Sequence, residues 1–310
     1  MAIRFDDRVV IVTGSGNGLG KSHALEFARR GARVVVNDLG AARDGSGASS
    51  AAANDVVRQI VDAGGEAIAN GANVADYAQV EAMVGEATDR WGRVDVLVNN
   101  AGILRDKTFA KMELSDFQLV LDVHLKGSVN CTKAVWERMR EQQYGRIVMT
   151  SSSSGIYGNF GQTNYGAAKM ALVGFMNSLA LEGEKYGIRV NALAPIAATR
   201  MTEDLMTAEV LALLEPASVT PAVIFLASDE APTRQIVAAG AGVFAKVVIQ
   251  ETPGVFLAPD RRDAEHVASA WERIRDTSGQ RELEAGGEQT MKFLQKAAAE
   301  LARISHTGAR

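Results

Sequence analysis

The chain has 310 residues, 47% of them apolar and 23% charged, with a net charge of −4. That length suits one large α/β domain or two small ones and is ample for a buried core. No basic stripe appears, which argues against nucleic acid as a partner. The lone Cys131 excludes an internal disulfide and a cysteine-built metal site. Four scattered histidines (His23, His124, His266 and His306) form no metal-ligand pattern. A single cysteine fits a reducing compartment. The N-terminus has no signal-peptide apolar core, the C-terminus is not Ser-Lys-Leu, and the apolar runs are short. The expectation is a soluble, cytoplasmic protein that does not enter a membrane.

Strand-like and helix-like segments alternate from the N-terminus. Arg8–Val12 reads as a first strand, and Gly18–Arg30 has apolar residues at helical spacing, with Gly31 as a stop. Arg33–Asn37 is a second strand, followed by a Gly/Ser/Ala-rich loop over residues 40–50. A helix over Ala53–Ala63, a strand over Glu66–Asn70, a helix over Asp76–Trp91 with Asp76 as N-cap, and a strand over Val94–Val98 come next. Ser115–Glu141 is one long helix or two. Arg146–Thr150 is a fifth strand, Thr163–Tyr186 a helix stopped by Gly187, and Ile188–Leu193 a sixth strand. This alternation predicts βαβ units and a Rossmann-type, doubly wound parallel sheet flanked by helices. Beyond Pro195 the spacing predicts helices over Thr199–Leu214 and Pro221–Ser228 and an edge strand over Ala241–Ile249. Two amphipathic helices, about Arg262–Asp276 and Glu288–Ile304, form a helical extension over residues 251–310, set apart from a main domain over residues 1–250. Cys131, Trp91, Trp136 and Trp271 are expected to serve packing.

Three stretches carry chemistry. Gly14, Gly16, Gly18 and Gly20 lie with Asn17 and Leu19 between the first strand and the next helix. Glycines there let the backbone approach a pyrophosphate, and the helix N-terminus offers free N–H groups. Asp38 follows the second strand, where a carboxylate accepts from the adenosine ribose hydroxyls of NAD and repels the extra phosphate of NADP. Asn99, Asn100, Ala101 and Gly102 follow the fourth strand, at the end of the sheet where such cofactors bind. Tyr165 and Lys169 share one helix face, four positions apart, and Ser152 stands 13 positions before Tyr165. A free tyrosine titrates near pH ~10, too high for a good base, and a neighbouring ammonium is expected to lower that value. Ser152 can donate a hydrogen bond to a substrate oxygen.

Thr-Gly-Ser-Gly-Asn-Gly-Leu-Gly (13–20), Asn-Asn-Ala-Gly (99–102) and the Ser152/Tyr165/Lys169 set, in this order, resemble the short-chain dehydrogenase/reductase family over about residues 5–200. Residues 34–40, 122–127 and 144–162 resemble more narrowly the (3R)-hydroxyacyl-CoA dehydrogenase unit of peroxisomal multifunctional enzyme type 2, also called 17β-hydroxysteroid dehydrogenase type 4. The chain is too short for the hydratase and sterol-carrier domains of that enzyme, so the expectation is a stand-alone dehydrogenase unit. The resemblance implies that Tyr165 is the acid/base, that Lys169 holds the nicotinamide ribose, and that Ser152 orients the substrate oxygen. It places Asn73 and Val74 at the adenine, Asn100, Ala101 and Gly102 along the adenosine, and Pro195 and Thr199 beside the nicotinamide. His124 replaces the family's usual asparagine and is either a proton carrier or a buried, hydrogen-bonded histidine. Ile196 replaces the usual glycine after Pro195 and would narrow the approach to the nicotinamide. Expected partners are NAD, a small-molecule substrate (an acyl-CoA) and a second copy of the chain, as a homodimer or homotetramer. Alternatives are a hydroxysteroid or another secondary alcohol, an NADPH-linked 3-oxoacyl carrier-protein reductase, or a nucleotide sensor without turnover.

Overall fold

The computed structural model describes residues 2–197 and 207–307. It divides into two compact units, residues 1–246 and 247–310.

The first unit is built on an eight-stranded sheet. Its strands are β1 (Val9–Thr13), β2 (Arg33–Asn37), β3 (Glu66–Asn70), β4 (Val96–Asn99), β5 (Gly145–Thr150), β6 (Ile188–Pro195), β7 (Ile236–Gly240) and β8 (Val243–Val247). They lie in the order β3-β2-β1-β4-β5-β6-β7-β8. Strands β1 to β7 pair in parallel, with registers such as Ile11 opposite Val35 and Leu97, and Met149 opposite Ala192. The order runs one way from β1 to β3 and the other way from β4 onward. The reversal between β1 and β4 opens a crevice outside the carboxyl ends of the strands.

Helices cover both faces, so the central strands are apolar throughout rather than alternating. One face of the sheet, with Val10, Val12, Val34 and Val36, packs on α1 (Gly18–Arg29), α2 (Ala51–Asp62) and α9 (Thr220–Leu226) through Ala24, Phe27, Val56, Ile60, Val223 and Leu226. Phe27 is fully buried and meets Phe5 edge-on at 4.9 Å. Truncating such a ring to alanine costs about 3–5 kcal/mol. On the other side lie α3 (Tyr77–Trp91), α5 (Gly127–Gln142) and α7 (Thr163–Gly183). There α5 packs on β4 and β5, and α7 on β5 and β6. Asp76 caps α3 as expected, its carboxylate accepting from Ala78 N and Gln79 N.

The segment that reads as one helix or two is continuous. Helix α4 (Leu114–Leu121) runs into α5 through a π-helical stretch, Asp122–Lys126. A π-turn inserts an extra residue per turn and marks functional sites in many helices. The short helix α6 (Ser153–Tyr157) starts at Ser152, whose Oγ accepts from Ser154 N.

Two expectations after β6 change. Strand β7 had no sequence signal, being short and rich in alanine. The edge strand expected over Ala241–Ile249 starts later, at Val243, because Ala241 and Gly242 form the two-residue turn of a β7–β8 hairpin. Their φ angles are +50° and +74°, the pattern of a type I′ turn, so β8 runs antiparallel to β7. Thr199 and the start of the helix expected over Thr199–Leu214 lie outside the described residues; α8 covers Ala208–Leu213.

In the second unit the first expected amphipathic helix is two short ones, α10 (Ala264–Ser269) and α11 (Trp271–Ile274), meeting at Ala270. The other is α12 (Gly286–Thr307). Gln250–Glu251 (β9) pairs antiparallel with Arg281–Glu282 (β10). Lys292 on α12 donates to Thr252 O at 2.5 Å. Trp271 is 55% exposed, so it does not serve packing as expected, whereas Trp136 and Cys131 are buried. No helix among the described residues is long and apolar enough to cross a membrane.

Candidate active site

The crevice at the β1/β4 reversal is a single cleft. Gly14, Asn17, Gly18, Leu19, Gly20, Asp38, Asn73, Val74, Asn100, Ala101, Gly102, His124, Tyr165, Lys169 and Pro195 all line it. Gly16, in the same glycine loop, is bound through its N–H to Asp38, and Ser152 is hydrogen-bonded to Tyr165. Ile196 is 48% exposed.

On the dinucleotide side, close packing explains the glycines. A Cβ on Gly14 would sit 2.7 Å from Ala101 Cα, and one on Gly20 would collide with Gly14 O. Gly18 has φ +54°, in the left-handed region that glycine takes without strain. Asn17 is extended and makes no side-chain cap, and the first turn of α1 has no acidic residue. The free N–H groups and the positive end of the helix dipole therefore stay available to an anion. Thr13 and Asn100 tie β1 to β4. Thr13 Oγ1 accepts from Asn100 N and Ala101 N, both at 3.0 Å, and Asn100 Nδ2 donates to Thr13 O at 2.9 Å and Gly14 O at 3.0 Å. The Asp38 carboxylate accepts from Gly16 N and Gly40 N, both at 2.7 Å. It thus sits against the glycine loop, where a ribose would lie. Asn37 Nδ2 donates to Ala72 O at 3.0 Å, which places Asn73 and Val74 on the cleft wall.

On the catalytic side, Lys169 is 3% exposed, and its Nζ donates to Thr150 O at 2.6 Å. Burial without a carboxylate partner pushes its pKa down to about 7. Its Nζ lies 5.5 Å from the Tyr165 ring centre. Burial pushes the Tyr165 pKa up, a hydrogen bond from Ser152 lowers it, and the charge of Asp106 raises it. The depression expected from Lys169 is not among the influences on this group: desolvation of the phenolate leads, and Ser152, not the amine, supplies the opposing effect. His124 is 1% exposed and meets the Tyr165 ring edge-on at 5.2 Å; its Nε2 lies 3.1 Å from Ile103 N and 2.9 Å from Ile103 O, and bonds one or the other according to its tautomer. Its Nδ1 has no partner. Burial and then Lys169 hold its pKa down at about 3, so it is neutral. A Cβ on Gly102 would collide with this ring.

Several residues of the site gave no sequence signal. Thr150 anchors Lys169, and Ala41, Ala42, Arg43 and Gly45, from the loop read as merely flexible, line the cleft. Gln162 accepts from Ser154 Oγ (2.8 Å) and donates to Asp106 (2.6 Å), bracing the start of α7. The Gly-Ser-Ala composition of residues 40–50 hides the contacts, because they are made by backbone atoms.

The residues present fit a nicotinamide dinucleotide: an uncapped helix N-terminus behind glycines, a carboxylate against the glycine loop, and a buried lysine beside a partly buried tyrosine. Among the described residues no group of three His, Cys, Asp or Glu side chains could hold a metal.

The family model described as short chain dehydrogenase matches residues 8–210. The chain is 51% identical to peroxisomal multifunctional enzyme A of Dictyostelium discoideum over 258 residues, covering 83% of this chain and 58% of that protein. It is similar to the solved full-length peroxisomal multifunctional enzyme type 2 of Drosophila melanogaster, with a TM-score of 0.80 and 38% identity over 96% of this chain and 50% of that one. It is also similar to a 7α-hydroxysteroid dehydrogenase solved with NADH and a 7-oxo bile acid, with a TM-score of 0.69 and 29% identity over 77% of this chain and 95% of that one. The chain thus spans about half the length of the multifunctional relatives it matches. A cleft of this geometry and a family match over most of the first unit agree: the chain belongs to the short-chain dehydrogenase/reductase family and is an oxidoreductase that works with NAD(H).

Proposed function

We propose that the chain oxidises a (3R)-hydroxyacyl-CoA to its 3-oxo thioester. The observation that carries the chemistry is Tyr165 and Lys169 on the wall of the cleft that also holds Asp38, with Ser152 hydrogen-bonded to Tyr165. The substrate class follows from the likeness to the multifunctional relatives.

NAD+, when bound, supplies the hydride acceptor. Tyr165 Oη, as phenolate, takes the hydroxyl proton as the hydride leaves the same carbon, so the C–O bond gains its second component without a free alkoxide. Ser152 donates a hydrogen bond toward that oxygen, as it does toward Tyr165. Lys169, fixed by Thr150 O, keeps its remaining N–H donors for the ribose and the phenolate. His124, held neutral, is read as a positioning group rather than an imidazolium carrier, since protonating it in that buried place is costly. Asp38 favours NAD over NADP by charge. The lone buried Cys131 asks for no oxidising surroundings, and the cytoplasm is the proposed setting.

The test is NADH formation with a medium-chain (3R)-hydroxyacyl-CoA, its 3S isomer and a hydroxysteroid, side by side. Turnover confined to the 3R thioester is expected. Turnover of the steroid alone would favour the second reading, a hydroxysteroid dehydrogenase, toward which the likeness to the 7α-enzyme points.

A further inference from the structure

Leu104, Arg105 and Lys107, which follow the Asn-Asn-Ala-Gly stretch, are tied on one side to the loop after β2 and on the other to the start of α7 and the turn before it. Leu104 N donates to Arg43 O at 3.1 Å. Arg105 Nε donates to Asp44 O at 2.7 Å. These two bonds hold the loop after β2, whose Ala41, Ala42, Arg43 and Gly45 line the dinucleotide cleft. On the other side, Arg105 O accepts from Asn164 Nδ2 at 3.0 Å, and Asn164 Oδ1 accepts from Tyr165 N at 2.7 Å. Lys107 N donates to Gly161 O at 3.0 Å. Asn164 is fully buried, so this bond is not exchanged for water. The Arg105 guanidinium also meets the Asp116 carboxylate at 3.3 Å, which fixes its direction from α4.

We propose that the Arg105 side chain is a positioning group that clamps the loop over residues 41–47 against the cofactor cleft, while the tie toward Asn164 and Tyr165 is made by its backbone carbonyl and does not depend on that side chain. The inference rests on NAD(H) binding in this cleft, as read above. The loop has no helix or strand of its own, and residues 40–50 are rich in Gly, Ser and Ala. Without the clamp, the loop would pay its ordering entropy each time the cofactor binds. The loss falls on cofactor affinity, because the atoms of Tyr165, Lys169 and Ser152 keep their own partners.

The test uses the full chain and NADH, with fluorescence as the binding signal. Arg105→Ala is expected to weaken NADH about ten-fold, or ~1.4 kcal/mol, the scale of one hydrogen bond from a charged donor. The KM for NAD should rise in step. The kcat at saturating NAD should stay within about three-fold, and the Tm should hold. Cleavage by trypsin after Arg43 should speed up in the variant and slow again when NADH is added. Arg105→Lys keeps a positive charge beside Asp116 but lacks the guanidinium fork, so it should show the same weakening. If the alanine variant unfolds, the lysine variant decides. NADH affinity unchanged in the folded variants would overturn the inference alone. A wild-type protein that binds no NADH would overturn the cofactor reading and this inference with it. A fall in kcat equal to the rise in KM would show a general loss of structure and also count against the clamp.

Discussion

At the scale of single residues, the site works by burying groups that prefer water. Lys169 is buried and Tyr165 partly so, and desolvation moves each toward its neutral form: the phenol upward, the amine down to about 7. A neutral pair holds less charge to desolvate, and a positive nicotinamide ring then shifts the balance back toward the phenolate. Tyr165→Phe removes the proposed proton acceptor, the Tyr165 hydroxyl, and keeps the ring. Turnover should fall by at least about 10²-fold, the usual share of general acid–base catalysis, while NADH titration shows binding retained. Substantial remaining turnover would remove Tyr165 from the chemistry. Asp38 spends each carboxylate oxygen on a backbone N–H, at Gly16 and Gly40. Asp38→Ala removes both the charge and the ribose acceptor. The ratio of kcat/KM for NAD over NADP should drop by roughly 10-fold or more, as expected for a charged hydrogen bond. An unchanged ratio would mean that another group selects the cofactor.

At the scale of elements, the crowding between loop and helix is more telling than any single bond. The π-helical stretch in the α4–α5 helix swings His124 into the cleft, where it rests on Gly102. There is no room for a side chain between them. Gly102→Ala should cost about 1–3 kcal/mol by overpacking, read as a lower Tm, with a further loss of NADH affinity because Ala101 and Gly102 would shift together. A variant as stable as the parent would show that the helix can give way. The sequence carried the glycine and the histidine, but not their contact. A π-turn leaves no mark in a pattern read at 3.6 residues per turn.

At the scale of the whole molecule, two buried histidines set the response to acid. His23 and His124 are held neutral, with pKa values of about 3 against 6.5 in the open chain. Above pH 6.5 neither histidine binds the proton in either state, so neither contributes to the pH dependence there. As pH falls from 6.5 toward 3 the unfolded chain takes up protons that the folded chain refuses, so stability drops. Urea unfolding should show a lower midpoint at about pH 5 than at about pH 7.5, and His23→Gln should flatten that slope. Equal midpoints would mean that the histidines are less shielded than their burial implies. The second unit offers a separate test. An amphipathic helix needs a surface to bury, and α12 has one apolar face. Deleting residues 251–310 should change either activity or the homodimer or homotetramer expected for the chain, read by turnover and light scattering. If both stay as they were, the extension has no part in catalysis or assembly.

What the sequence determined by itself was local: strands of unbroken valine, glycines where backbone must turn or touch, and a tyrosine and a lysine one helical turn apart. Such signals survive because sterics and helical period act between near neighbours in the chain. The tertiary structure alone decided the rest. It brought Arg105 into hydrogen-bond contact with a loop some sixty residues away in sequence, turned a last strand back on β7 through Ala241 and Gly242, and set Tyr165 where desolvation raises its pKa. Backbone hydrogen bonds and desolvation depend on which segments meet, and no window of the sequence records that meeting.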